Sequence, residues 1–224
     1  MNSNRSALLI GATGLIGTYV QKEILQNSDY GNLTTFVRNQ TTETHSKLNE
    51  VIIDFDKMPD YKELFKVDDL FVCLGTTKKK AGTQENFRKV DFDYVVEAAR
   101  LAKENGVTRI AVVSAIGADE HSRFFYNQVK GEMEKAVSSI GISSTYFFRP
   151  SLLLGDRDEF RLGERIGEVL GTVIQPVLRG KWKKYRSVHG QTVAKAMLRF
   201  LKDGRNGVHF VESDLIAKIG DLCP

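Results

Sequence analysis

Two short patterns in this chain hold residue types that could do chemistry at a fixed spacing. In Tyr126-Asn127-Gln128-Val129-Lys130 the phenol and the ammonium are four residues apart, so a helix would put both on one face. A phenol with a pKa of about 10 is a poor proton donor at neutral pH until nearby positive charge lowers it, and Lys130 could supply that charge. Ser114 closes an apolar, β-rich run just upstream. Its hydroxyl could hold a substrate oxygen while Tyr126 protonates it, a combination suited to carbonyl reduction. Taken alone, Tyr-x-x-x-Lys is a common coincidence, and an ordinary pair on a helix surface is then the better reading.

The second pattern is Gly11-Ala12-Thr13-Gly14-Leu15-Ile16-Gly17, a G-x-x-G-x-x-G turn directly after the apolar run Ala7–Ile10. Between a strand and a helix, such a turn suits a dinucleotide. Gly11 would allow the tight turn, Gly14 would let backbone approach the pyrophosphate, and Gly17 would let the helix pack closely. The helix N-terminus adds unpaired N–H groups and positive potential, so Gly11, Thr13, Gly14, Leu15 and Ile16 are expected to contact the cofactor. About 20 residues on, where an NAD enzyme carries Asp or Glu for the ribose, the chain reads Val37-Arg38-Asn39. The planar guanidinium of Arg38 suits a 2′-phosphate, so NADP(H) is expected over NAD(H). Asp54 and Phe55, at the end of the third expected strand, lie where an adenine would rest; capping of the following turn by Asp54 is the other reading.

These residues need a scaffold, and the hydrophobic pattern specifies one. Short β-rich runs at Ala7–Ile10, Leu33–Val37, Val51–Phe55, Leu70–Leu74, Arg109–Ser114 and Ser144–Phe148 alternate with helical periodicity over Leu15–Gln26, Thr83–Asn105 and Ser122–Ile140. This alternation predicts an α/β fold, a doubly wound parallel sheet of the Rossmann kind with helices on both faces. After Pro150 the pattern weakens. A charged helix is expected from about Phe160 to Leu170 and a clearer one over Gln191–Lys202. Residues 1–224 therefore read as one domain, with 151–224 forming a small C-terminal region on the substrate side. The polar stretch Arg38–Glu50 is the expected mobile loop.

Composition narrows the classes. With 224 residues and 42% hydrophobic content the chain can bury one substantial core. The start, Met1–Ser6, lacks an apolar h-region, and no stretch holds about 18 consecutive apolar residues, so a cytoplasmic protein with no membrane association is expected. Cys73 sits in an apolar run as a reduced core thiol, and no metal is expected. The net charge of +4 decides little. Lys78-Lys79-Lys80 and the cluster Lys181–Arg186 read as solvated loops, and no recognised nucleic-acid motif accompanies them.

Gly11-x-x-Gly14-x-x-Gly17, Ser114 and Tyr126-x-x-x-Lys130, in that order, resemble the short-chain dehydrogenase/reductase superfamily. Cys73-Leu74-Gly75-Thr76-Thr77, Val129-Lys130-Gly131-Glu132 and Phe148-Arg149-Pro150 resemble its atypical branch, which contains the mammalian Tat-interactive oxidoreductase-like protein. The likeness spans nearly the whole chain. It implies that Leu74, Gly75, Thr76 and Thr77 border the cofactor and that Pro150 to Leu152 lie beside the nicotinamide. The alternative for Pro150 is a plain turn after a strand. The likeness also implies a candidate catalytic set of Ser114, Tyr126, Lys130 and Asp91, the last standing where the wider superfamily has an Asn that supports a proton relay. Asp91 shares a helical face with Phe87, Val95 and Ala98, so its carboxylate needs a partner or must become neutral; a plain structural hydrogen bond is the alternative. Two functions follow: an NADPH-dependent reductase of a small carbonyl substrate, or a protein that binds NADPH and acts through a protein partner with little turnover. Monomer and homodimer both stay open.

Overall fold

The computed structural model describes residues 4–154 and 186–220. The apolar runs form β1 (Arg5–Ile10), β2 (Tyr30–Val37), β3 (Leu48–Ile52), β4 (Asp69–Val72), β5 (Arg109–Val113) and β6 (Ser144–Arg149). A short parallel pair, β7 (Leu153–Leu154) and β8 (Val188–His189), precedes β9 (Gly207–Glu212). The main sheet has seven strands in the order β3-β2-β1-β4-β5-β6-β9, all parallel. Alternate side chains enter opposite layers, as strand geometry requires. Ala7, Leu9, Phe71, Ala111, Tyr146 and Phe148 pack with α1 (Leu15–Gln26) and with the helix Gly190–Asp203. Leu8, Ile10, Leu70, Val72, Ile110, Val112 and Phe147 face a second core.

That second core is closed by a 3-10 stretch over Phe55–Phe65 and by two long helices. The span 83–105, expected as one helix, comprises α3 (Gln84–Arg88), a wider π turn at Lys89–Asp93, and α4 (Tyr94–Glu104). Before it, the lysine cluster forms α2 (Lys78–Ala81), capped by Thr77, and is helical rather than looped. Next comes α5 (Phe125–Ile140), followed by α6 (Gly190–Asp203) and α7 (Ser213–Gly220).

Two further sequence expectations change. The third strand ends at Ile52, so Asp54 and Phe55 lie beyond it, at the start of the 3-10 stretch. Thr41 donates from both its N–H and its hydroxyl to Glu50, each at 2.7 Å, which ties the polar connection after β2 to β3. The tail also supplies sheet and layer elements: β9 extends the sheet beside β6, and α6 buries Val193, Met197 and Leu201 against α1. The expected helix at Phe160–Leu170, and all of the second basic cluster except Arg186, lie outside the described residues.

Because every strand runs the same way, the segments that follow them collect along one edge. The chain crosses from β3, at one side, to β4 beside β1. This opens a crevice at the carboxyl ends of β1 and β4, where such sheets take their ligands. The opposite edge is closed by a charge network. Asp69, fully buried, pairs with Arg5 at 2.5 Å and Arg109 at 2.6 Å, and accepts from the Tyr30 hydroxyl at 2.6 Å. Burial, then the Asp69 charge, pushes the Tyr30 phenol far above its ordinary range, so it remains a donor. Asp69→Asn keeps the shape but leaves two guanidiniums without their counter-charge. We expect a loss of about 3 kcal/mol in urea unfolding; an unchanged midpoint would contradict this structural role.

Candidate active site

The glycine turn lies between β1 and α1. Gly11 has φ +89, and a Cβ there would come within 2.6 Å of the Cys73 carbonyl oxygen, so the turns after β1 and β4 touch at this glycine. Gly14 donates its N–H to Gly11 O at 3.0 Å and stands as the N-cap of α1 with no side-chain cap. The first turn, including Leu15 and Ile16, carries no acidic residue. Thr13 is exposed beside it. An N-terminus with neither a capping side chain nor a carboxylate keeps its positive potential for an outside anion. The turn therefore fits the diphosphate of a dinucleotide.

Arg38 immediately follows β2. It is exposed and makes no ion pair or hydrogen bond among the described residues, so its guanidinium is available. Asp54 is exposed, and its Oδ1 accepts from the Asp56 N–H at 3.0 Å, the capping bond weighed above. Phe55 packs on Tyr94 with ring centroids 5.5 Å apart. Hydrogen bonds from Lys89, then Tyr94, hold the Asp56 carboxyl below the usual range.

The polar centre forms where β5, the π turn and α5 meet. Lys130 and Asp91 are 2% and 1% exposed, and Lys130 Nζ lies 2.8 Å from Asp91 Oδ1. Asp91 Oδ2 accepts the Thr76 N–H at 2.8 Å, which ties the loop 74–77 to the same carboxylate. The partner that Asp91 required is therefore Lys130 itself. Lys130 Nζ also lies 3.5 Å from the Val113 carbonyl oxygen, one residue before Ser114. The Ser114 N–H donates to Phe148 O at 2.7 Å, whereas its buried Oγ has no hydrogen-bond partner among the described residues. Tyr126, one helical turn before Lys130, is half-buried and packs edge-on against Phe87 at 5.7 Å.

Further contacts hold α5 in place. The Asn127 side chain donates to Gly117 O at 2.7 Å, and the Asn127 carbonyl accepts from Asp119 N at 3.1 Å. Glu134, one turn beyond Lys130 and also buried, takes two bonds from Arg149, at 2.9 and 2.6 Å. Arg149 also pairs with Glu212 on β9 at 3.0 Å. Hydrogen bonding to Glu134 is the main reason its guanidinium is held above its ordinary range. Pro150 follows and is buried; its carbonyl accepts the Ile116 N–H at 3.1 Å, while Leu152 O accepts from Val188 N at 2.9 Å. Sequence reading missed the Arg149–Glu134 link. The available signal was an acid on the apolar face of α5, among Val129, Met133 and Val137.

The residues brought to this edge are thus the glycine turn, Arg38, the 74–77 loop, Ser114 and, through α5, Lys130. The profile of the NAD(P)H-binding family matches residues 11–203. The chain belongs to that family. Within the NAD(P)H-binding family's reach, the chain is similar to protein HTATIP2 of Rattus norvegicus, 36% identical over 223 residues that span 97% of this chain and 90% of that protein. It is 30% identical over 210 residues to protein FMP52, mitochondrial, of Candida albicans, covering 90% of each. Among solved structures, the Bordetella bronchiseptica enzyme WbmH in complex with NAD+ aligns with a TM-score of 0.69 at 15% identity, over 97% of this chain and 79% of that one. A short-chain dehydrogenase family protein from Francisella tularensis aligns at 0.65 and 14% identity, over 95% and 99%. These two likenesses establish the Rossmann-like fold alone.

One residue of the Val129-Lys130-Gly131-Glu132 run yields a test. A Cβ on Gly131 would lie 2.2 Å from the backbone of Asp119 and Glu120. Gly131→Ala must push the segment after β5 away from α5, and we expect thermal unfolding to show a loss of about 1–3 kcal/mol. A variant as stable as the parent would mean that this packing does not hold the site together.

Proposed function

We propose that this protein reduces a small carbonyl compound with NADPH. The observation that carries the reading is the Ser114 hydroxyl: buried, without a hydrogen-bond partner among the described residues, and next to the residue whose carbonyl lies near Lys130. A buried polar group left unsatisfied in a native fold calls for an explanation, and a bound substrate oxygen supplies one. When bound, NADPH supplies the hydride.

The chain's residues then divide the remaining work. The Gly11–Ile16 turn holds the diphosphate, with Thr13 at its mouth, and Arg38 grips the 2′-phosphate through paired bonds. Asp54 and Phe55 flank the adenine. Leu74 to Thr77 and Pro150 to Leu152 border the cofactor from β4 and β6. Ser114 orients the substrate oxygen, and Tyr126 gives it a proton as negative charge develops there. Lys130 holds the ribose and biases the phenol. Asp91 secures Lys130 from behind.

A second reading, an NADPH-binding protein that works through a protein partner, is favoured by the Asp91–Lys130 pair itself. An ammonium already matched by a carboxylate has less charge left with which to activate Tyr126. Both readings hold in the cytoplasm and in the mitochondrion, the compartment printed in the names of the fungal relatives, since both contain NADPH. The exposed lysines of α2 stand at the ligand edge and favour anions there, without specifying a nucleic acid.

Cofactor choice is tested by calorimetry. NADPH should bind more tightly than NADH, and Arg38→Ala should erase most of the difference, about 10 to 150 fold for a lost contact of about 1.5–3 kcal/mol. Equal wild-type affinities would refute the NADP(H) preference. The chemistry is tested by Tyr126→Phe, which keeps the ring against Phe87. Turnover on aldehydes, ketones and quinones should fall about 10² to 10⁴ fold, with NADPH affinity and melting temperature nearly unchanged. Equal rates for both proteins on every substrate, together with NADPH-dependent capture of a defined protein partner, would transfer support to the second reading.

A further inference from the structure

We infer that Asp91 keeps the site from favouring the reduced cofactor, by offsetting much of the Lys130 charge felt at the nicotinamide so that the oxidised and reduced forms bind with comparable affinity. The inference rests on the reading that NADP(H) occupies the carboxyl edge of the sheet. The two forms differ by one positive charge, carried on the nicotinamide of NADP+. An isolated ammonium in a buried site would repel that ring and leave the neutral ring of NADPH untouched. Here the ammonium is not isolated: Asp91 lies 2.8 Å away, and both side chains are withdrawn from the water that would otherwise screen them.

Asp91 is built for this position. It sits in the π turn between α3 and α4, and such an inserted turn is costly and concentrates at functional sites. Its second oxygen is fixed by the Thr76 N–H, so the carboxylate is held between α5 and the loop after β4. The neighbouring carboxylates on α5 are committed elsewhere, Glu132 to Arg88 and Glu134 to Arg149. The pair therefore presents a compact dipole to the carboxyl edge, where a lysine alone would present a cation.

Dissociation constants for NADP+ and NADPH, measured by calorimetry at one pH and ionic strength, read this out without any turnover. For the wild type the two should agree within about tenfold. Asp91→Asn leaves Lys130 uncompensated and should raise the ratio of the NADP+ constant to the NADPH constant by about tenfold or more, the change expected of one unit charge several ångströms away at low screening. Asp91→Ser, which leaves room for water beside the ammonium, repeats the test if the Asn variant does not fold. The double variant Asp91→Asn, Lys130→Met buries no unpaired charge and should restore the wild-type ratio. A ratio unchanged in Asp91→Asn or Asp91→Ser, or raised equally in the double variant, would overturn the inference while leaving NADP(H) binding intact. A wild type that binds neither form would remove the cofactor reading, and this inference with it.

Discussion

Burying Lys130 and Asp91 takes two charges out of water, at a cost of several kcal/mol per ion that only close pairing and further hydrogen bonds offset. The protein meets that condition with an ion pair at 2.8 Å and a backbone N–H from Thr76. One interaction thereby fixes three segments relative to each other: α5, which carries Tyr126; the π turn, which carries Asp91; and the loop after β4. Shifting any of them would leave a charge buried without its partner. Tyr126, one turn from Lys130, is carried on the helix that this pair fixes and also packs on Phe87.

The same principle recurs at the other charged point on the buried face of α5. Glu134 is held by both arms of Arg149, which reaches on to Glu212 on the edge strand. The helix is thus pinned through Lys130 to the π turn and through Glu134 to the end of β6, while Val129, Met133 and Val137 supply the apolar burial. Parallel strands then do the rest. Since each strand ends at the same edge, the strand pairings alone place the glycine turn, Arg38, Ser114 and Pro150 along it.

This division explains what could be read in the sequence. The strands β1, β4, β5 and β6 were legible because, largely buried, they are near-continuous apolar runs, whereas β3, a half-buried edge strand that holds Asn49 and Glu50, was read too far along the chain; α1 and α5 were legible through their four-residue spacing. The glycine turn and Tyr126-x-x-x-Lys130 were legible as local patterns. β9 was not: as an edge strand it leaves Val208 and Phe210 exposed, so its alternation carries no clear inward face. Nor was the π turn, since one inserted residue keeps Phe87, Asp91 and Val95 at a spacing that an unbroken helix would also give. The need of Asp91 for a partner was evident from its apolar neighbours, but Lys130 is 39 residues away, and only the packing of α5 against the π turn names it.

The most direct measurement is a crystal structure with NADPH and an unreactive carbonyl analogue bound. This account predicts the diphosphate on the Gly11–Ile16 turn, Lys130 still paired with Asp91, and the Tyr126 hydroxyl and Ser114 Oγ both within about 2.6–3.2 Å of the analogue's carbonyl oxygen. A cofactor bound away from the carboxyl edge, or a Tyr126 hydroxyl well outside hydrogen-bond reach of a carbonyl poised over the nicotinamide, would contradict it.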